Sequence, residues 1–307
     1  MRSDQLLAAA GHPAEADVAA SPQRFPDGAH FRIEIPSVEG PAALAAVLDE
    51  AAKRGVTVNR VSQGSGAMLH TESELSEMSR IGSDAGLEVS LFVGPREEWG
   101  ISAMSRAADG GCLAGGIRGL RQLRYAVEDV LRAVDCGIRG FLVADLGLLD
   151  LLVGAQASGQ IPTEVVWKVS ALAAPSNPAG LKVLERLGAG TVNLPTDLTL
   201  AELAEMRAAT SLPLDLYVEA PDAMGGVVRG EQTADLVAVA APLYVKFGLR
   251  NSRPLYPAGM HVQADVELIA REKVRRAEIA LEWVARRGLD LTQSEPGADG
   301  LAVPRWA

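Results

Sequence analysis

LPLDLYVEAPDAMGG (212–226), GEQTADLVAVAAP (230–242) and LYVKFGLR (243–250) read in succession as strand, helix and strand. Short β-rich runs bounded by Pro, Gly and Asp, with a helical pattern between them, are the mark of a parallel βαβ unit. Polar groups follow both runs. Glu219 and Asp222 come after the first, while Lys246 and Arg250 stand on and just beyond the second. If a reaction occurs here, part of it is expected between those groups.

The same alternation extends outward in both directions. HFRIEIP (30–36), VTVNRVSQ (56–63), EVSLFVGP (88–95), IRGFLVADLG (138–147), EVVWKVSAL (164–172) and TVNLPT (191–196) read as further strands. Between them lie helical patterns at 41–55, 71–86, 120–137, 148–160, 177–190 and 198–210, and a long charged helix at 265–287 closes the series. TESE at 71–74 reads as a capping box, and Asn177-Pro178 as a helix start. Eight strands alternating with eight helices over roughly 250 residues match a single-domain (β/α)8 TIM barrel, with a doubly wound open sheet as the alternative. The expected divisions are a partly irregular N-terminal leader at 1–28, the barrel at 29–288 and an irregular tail at 289–307. The stretch 96–119, containing DGGCLAGGIRG, is long enough for a covering or binding loop.

Composition narrows the function classes. The 307 residues are 48% hydrophobic with a formal net charge of −10, and basic residues are interspersed with acidic ones. Neither a nucleic-acid surface nor a lipid-binding face is expected. Two cysteines, Cys112 and Cys136, are too few for a disulfide scaffold, a four-cysteine zinc site or an iron–sulfur cluster. No apolar run reaches the ~20 residues of a membrane span, and the N-terminus lacks a signal-peptide pattern. The expectation is a cytoplasmic protein with a small anionic substrate, leaving room for homo-oligomerisation through the last helix.

In a barrel the reactive groups gather at the C-terminal strand ends. Lys168 and Lys246 stand inside apolar runs, where burial lowers an amine's pKa and suits it to general-base or Schiff-base chemistry; each could instead be one half of a buried ion pair. Glu219 is the leading carboxylate, as an acid–base partner of Lys246 or a structural one. Asp145 is either catalytic or a helix cap. Gln63 and Ser65 lie in QGSG, whose backbone N–H groups could hold an anion, with Arg96, Arg118 and Arg250 as further anchors. No cofactor is expected, although Glu34, Asp145 and Glu219 could supply oxygen ligands to Mg²⁺ or Mn²⁺. Serine-hydrolase elbows, Walker loops, zincin motifs and C-x-x-C are absent from the sequence.

KVSALAAPSNPAGLKVLERLGAGTVNLPTDLTLAELAEMRAATSLPLDLYVEAPDAMGG (168–226) resembles the corresponding region of the peptidase U32 family, also called collagenase-like proteases. The order of strand, Asn-led helix, LG helix end, short strand, Leu-Thr-Leu-x-Glu helix and strand is shared. The resemblance makes Asn177, Glu202 and the strand 214–219 family-equivalent positions and implies a barrel. It departs from the family where paired cysteines should follow the last strand, so the cluster of the family's hydroxylation-associated members cannot be built. The resulting expectation is a cluster-free U32-like enzyme acting on a small anionic or carbonyl-bearing metabolite by acid–base or lysine chemistry. A peptide hydrolase, as the family name suggests, and a non-catalytic binding or partner barrel are the alternatives.

Overall fold

The computed structural model describes residues 2–12 and 18–306; the parts of the expected leader and tail at 1, 13–17 and 307 lie outside the described residues. Eight parallel strands close into a barrel in sequence order: β1 Phe31–Pro36, β2 Arg60–Gln63, β3 Glu88–Phe92, β4 Gly140–Val143, β5 Val166–Val169, β6 Thr191–Asn193, β7 Leu214–Glu219 and β8 Leu243–Phe247. Pairing of β1 with β8 through Phe31↔Leu243 to Glu34↔Lys246 makes the ring complete, so the open-sheet alternative falls.

Outside the ring run α2 Pro41–Arg54, α3 Glu72–Asp84, α4 Gly119–Asp135, α5 Leu146–Ala157, α6 Pro178–Arg186, α7 Leu200–Ala209, α8 Thr233–Ala240 and α9 Gln263–Arg287; a short α1 Arg2–Ala9 precedes the barrel. Their starts follow local chemistry. Thr71 and Glu74 form a capping box on α3, as do Thr199 and Glu202 on α7, and Asn177 accepts the Gly180 N–H with Pro178 in the first turn of α6. Two family-equivalent positions, Asn177 and Glu202, are thus helix-start residues.

Alternation along each strand separates two environments. Ile33, Ile35, Val61, Val89, Leu91, Phe141, Val143, Trp167, Val169, Leu214, Leu216, Leu243 and Val245 pack outward beneath the helices as the apolar core. Inward, where branched aliphatic layers are usual, the lumen is filled by Arg32, Glu34, Arg60, Glu88, Lys168, Asp215, Tyr244 and Lys246, all buried. Both flanks pack beneath this lumen. Ser21 donates its N–H to Ala238, Phe25 lies under the Arg32 guanidinium with 4.1 Å from Cζ to ring centroid, and the Ala302 N–H reaches Glu88. Arg32 also donates to Ser294 Oγ at 2.9 Å and to the Asp299 carbonyl at 2.6 Å. The tail forms the barrel's floor.

Candidate active site

Register builds the centre of the lumen. Glu34 on β1 stands opposite Arg60 on β2 and Lys246 on β8. Its carboxylate accepts from Arg60 Nε at 2.8 Å, Ser62 Oγ at 2.6 Å and Lys168 Nζ at 2.5 Å, with Lys246 Nζ 3.3 Å away. Arg60 also pairs with Asp215, reaches Glu88 at 3.3 Å and stacks 3.3 Å from the Tyr244 ring centroid. Lys168 has Asp215 at 3.5 Å as a second carboxylate. Arg60, Lys168 and Lys246 therefore face Glu34, Glu88 and Asp215, three basic side chains against three carboxylates, while Arg32 at the floor has Asp27 at 3.9 Å.

Electrostatics divides these groups. Burial pushes the Glu34 carboxyl upward, but Arg60, Lys168 and Lys246 together outweigh it and hold the group well below the usual carboxylate range. Burial and then the Arg60 charge pull the Lys168 amine well below the ordinary lysine value, against the attraction of Glu34. The two directions agree: Glu34 is ionised because Arg60 already serves it, which leaves Lys168 the less compensated partner. Burial raises Tyr244 to about 12 and also raises Tyr217. Lys246 donates to Asn193 Oδ1 at 2.5 Å and sits 4.4 Å from the Tyr217 ring centroid.

The expected Glu219–Lys246 partnership does not form. A bulge between Tyr217 and Glu219 changes the parity of β7, so Tyr217 stands opposite Lys246 while Glu219 stands opposite the outward Phe247. Glu219 accepts the Arg250 N–H at 3.1 Å and lies 3.7 Å from Arg276 on α9. Asp145 caps α5 through the Leu148 N–H at 2.9 Å and holds the Ile117 N–H at 3.0 Å, so its carboxylate is engaged in structure. The QGSG nest does bind a carboxylate, but an internal one: Glu39 accepts from Gly64 N at 2.7 Å and Ser65 N at 3.1 Å. Gln63 closes its own loop onto both backbone groups of Gly66, and Ser65 Oγ receives the Ala258 N–H. Arg118 is exposed at the start of α4, and Arg250 is 59% exposed with Asp222 3.7 Å away, so neither reaches the lumen. Glu34, Asp145 and Glu219 are held in three separate settings, and no group of three His, Cys, Asp or Glu suited to a metal exists among the described residues.

The mouth is covered. The stretch 96–119 folds through short 3-10 turns, tied back by Glu97 N to Gly116 O at 2.9 Å. Opposite it, Tyr256 lies so close to Gly64 that a Cβ there would come within 2.3 Å of its ring, and its hydroxyl meets Ser37 Oγ at 2.5 Å. Arg96 is buried beside Phe92, Trp99 and Tyr256. A concavity of about 650 Å³ lies outside the barrel, lined by Met68, Gly94, Tyr125, Asp129 and Arg132; another of about 530 Å³ runs along the tail under the floor. Neither opens onto the lumen groups. The residues missed in the sequence, Arg60, Glu88, Asp215 and Tyr244, had a readable signal. FRIEI, RVSQ, EVSLF and LDLYVE alternate charged or polar with apolar positions, and in a closed ring one parity must face inward.

Residues 119–221 match the family model described as Peptidase family U32. The match begins at α4 and covers residues 168–221 of the resemblance drawn from the sequence, a stretch that contains Lys168, Asn193 and Asp215. A search of curated proteins gives no match. Among solved structures, the U32 peptidase Mk0906 is similar at 18% identity over 68% of this chain and 74% of that chain, with a TM-score of 0.41. The putative copper homeostasis protein CutC from Streptococcus agalactiae is similar at 12% identity over 70% and 97%, with a TM-score of 0.47. A native KDPGal structure is similar at 10% identity over 86% and 99%, with a TM-score of 0.46. At such identities none of these likenesses bears on the reaction.

Proposed function

We propose that this U32-like barrel is a cytoplasmic enzyme acting on a small anionic, carbonyl-bearing metabolite, with Lys168 as its reactive amine. The observation that carries this reading is a lysine buried inside the ring, its pKa well below the usual value, with a carboxylate 2.5 Å from its nitrogen. An amine of that kind attacks a carbonyl carbon as the free base. Formation of the imine releases one water, the two amine protons leaving with the carbonyl oxygen, and the ionised Glu34 steadies the positive charge the nitrogen carries between attack and proton loss. Lys246, on the Asn193 side of Glu34, would supply a fixed positive charge to the substrate's anion. Admission of substrate requires the Tyr256 side of the mouth to swing away, a gating motion of the kind many enzymes use.

Borohydride reduction in the presence of pyruvate, glyoxylate or oxaloacetate, followed by peptide mass mapping, tests the proposal. An adduct on Lys168 is expected; adducts confined to the exposed Lys53, or none at all, would refute it. A second reading, a non-catalytic binding barrel, is supported by the pairing of every lumen charge with another. It predicts that Lys168→Met leaves the biological output of the protein unchanged, whereas the enzymatic reading predicts its loss. Peptide hydrolysis, suggested by the family description alone, would be seen as cleavage of unstructured peptides, compared with and without a chelator.

A further inference from the structure

Arg96 opens the covering stretch, and its guanidinium is fixed on several sides. Its Cζ lies 3.8 Å from the Phe92 ring centroid, 4.2 Å from that of Trp99 and 5.8 Å from that of Tyr256. Nη1 donates to Glu98 at 3.1 Å. The remaining edge is different: Nε and Nη2 are both buried and have no partner, in a residue only 5% exposed. A buried donor left unpaired is costly, and here two sit on one ion. Burial draws the pKa of this guanidinium down against the pull of Glu98, which marks it as under-compensated. Nε–H and the adjacent Nη2–H point the same way within the guanidinium plane, at the spacing of the two oxygens of a carboxylate.

We propose that Arg96 is the carboxylate receptor of the barrel mouth, binding a planar monocarboxylate side-on through Nε and Nη2. The proposal deepens the reading of the barrel as an enzyme for small anions and rests on it for biological meaning, but it is measured without any reaction. Two features select a carboxylate over a phosphate. Aromatic rings bracket the guanidinium, which favours a flat ligand in its plane. The carboxylates of Glu98 and Glu39 also act on Arg96, and they oppose a second negative charge on the ligand. Tyr256, with its ring centroid 5.8 Å from Arg96 Cζ and its hydroxyl held by Ser37, is the neighbouring side chain whose displacement would open a way to the guanidinium.

Trp99 is close enough to Arg96 to report occupancy. Intrinsic fluorescence and the thermal midpoint of the wild-type chain are followed during titration with sodium acetate, and in parallel with sodium phosphate, at constant ionic strength set by chloride. Acetate is expected to give a saturable fluorescence change that disappears in Trp99→Phe, and to raise the midpoint. Arg96→Lys keeps the charge but not the fork, and is expected to weaken acetate at least tenfold. Arg96→Met is expected to be blind to acetate, its midpoint no longer rising with added acetate. The absence of a saturable acetate response in wild type overturns the proposal, as does an undiminished response in Arg96→Lys or Arg96→Met. Saturation by phosphate but not acetate does so as well. Acetate forms no imine, so this result is independent of borohydride trapping. Acetate binding without a Lys168 adduct would leave the receptor standing and remove the amine chemistry; an adduct formed equally well in Arg96→Lys would do the reverse.

Discussion

Replacing Arg60 by Met is the sharpest perturbation of the lumen. Arg60 is completely buried and serves Glu34, Glu88 and Asp215 at once. After its loss Glu34 keeps Lys168, Lys246 and Ser62, and Glu88 keeps the Tyr244 hydroxyl and the Ala302 N–H. Asp215 fares worst: its Oδ2 already lacks a partner, and its Oδ1 retains only Lys168 at 3.5 Å. Breaking a buried ion pair from one side costs about 3–5 kcal/mol, out of a total stability on the order of 5–15 kcal/mol. With a urea dependence near ~3 kcal/mol per molar, the unfolding midpoint should fall by about 1–1.7 M. Adding Asp215→Asn to Arg60→Met removes the carboxylate that loses most when Arg60 goes, so much of the loss should return. Urea titration followed by far-UV circular dichroism measures both. A shift below about 0.3 M in the single variant, or no recovery in the double one, would refute the claim that charge balance holds the lumen together.

Lys273 on α9 is buried, donates to the Pro36 carbonyl at 2.7 Å and is drawn down to about 8 by burial, with Glu39 opposing. Between that value and the unfolded one near ~10.5 the unfolded chain binds the extra proton, so stability should climb with pH by up to about 3 kcal/mol; Lys273→Met should flatten the climb in urea midpoints taken from pH 7 to 10.5. Asp129 has the opposite sign: burial raises it to about 6, so the folded state binds more protons and stability should decline as pH rises from about 4 to 6. Asp129→Asn should abolish that decline while keeping an acceptor for the Gly94 N–H, and thermal midpoints at pH 4, 5, 6 and 7 would show it. For Glu34, held low in the folded state, the stabilising contribution is complete above the ordinary carboxylate value and is lost as pH falls through the lowered one, so Glu34→Gln should be less acid-sensitive than wild type in acid titration. Gly64→Ala would drive a methyl group into the Tyr256 ring; it should speed reductive methylation of Lys168 and Lys246 several-fold in peptide mapping, and equal rates would show that Tyr256 does not guard the mouth.

The ring was legible in the sequence because strand and helix periods differ and repeat eight times, and the helix starts at Thr71, Asn177 and Thr199 carry local chemistry that long-range packing does not override. The lysines were legible as buried charges in apolar runs. Their partners were not, because which carboxylate meets which amine depends on register across the lumen, and Lys168 and Glu34 are 134 residues apart. Glu219 was misjudged for a smaller reason. One extra residue in β7 turns its side chain to the other surface, and VEAP carries no sign of the bulge. The QGSG turn was read as a substrate anchor; its backbone N–H groups at Gly64 and Ser65 are taken by Glu39 of the chain itself.

Phe25 and the residues around Ser294, Asp299 and Ala302 pass beneath the ring from the two ends of the chain. Each end of the described chain thus supplies part of the underside of the charged lumen, Phe25 under Arg32 and the Ala302 N–H on Glu88, so removing either would bring water to charges that are now buried.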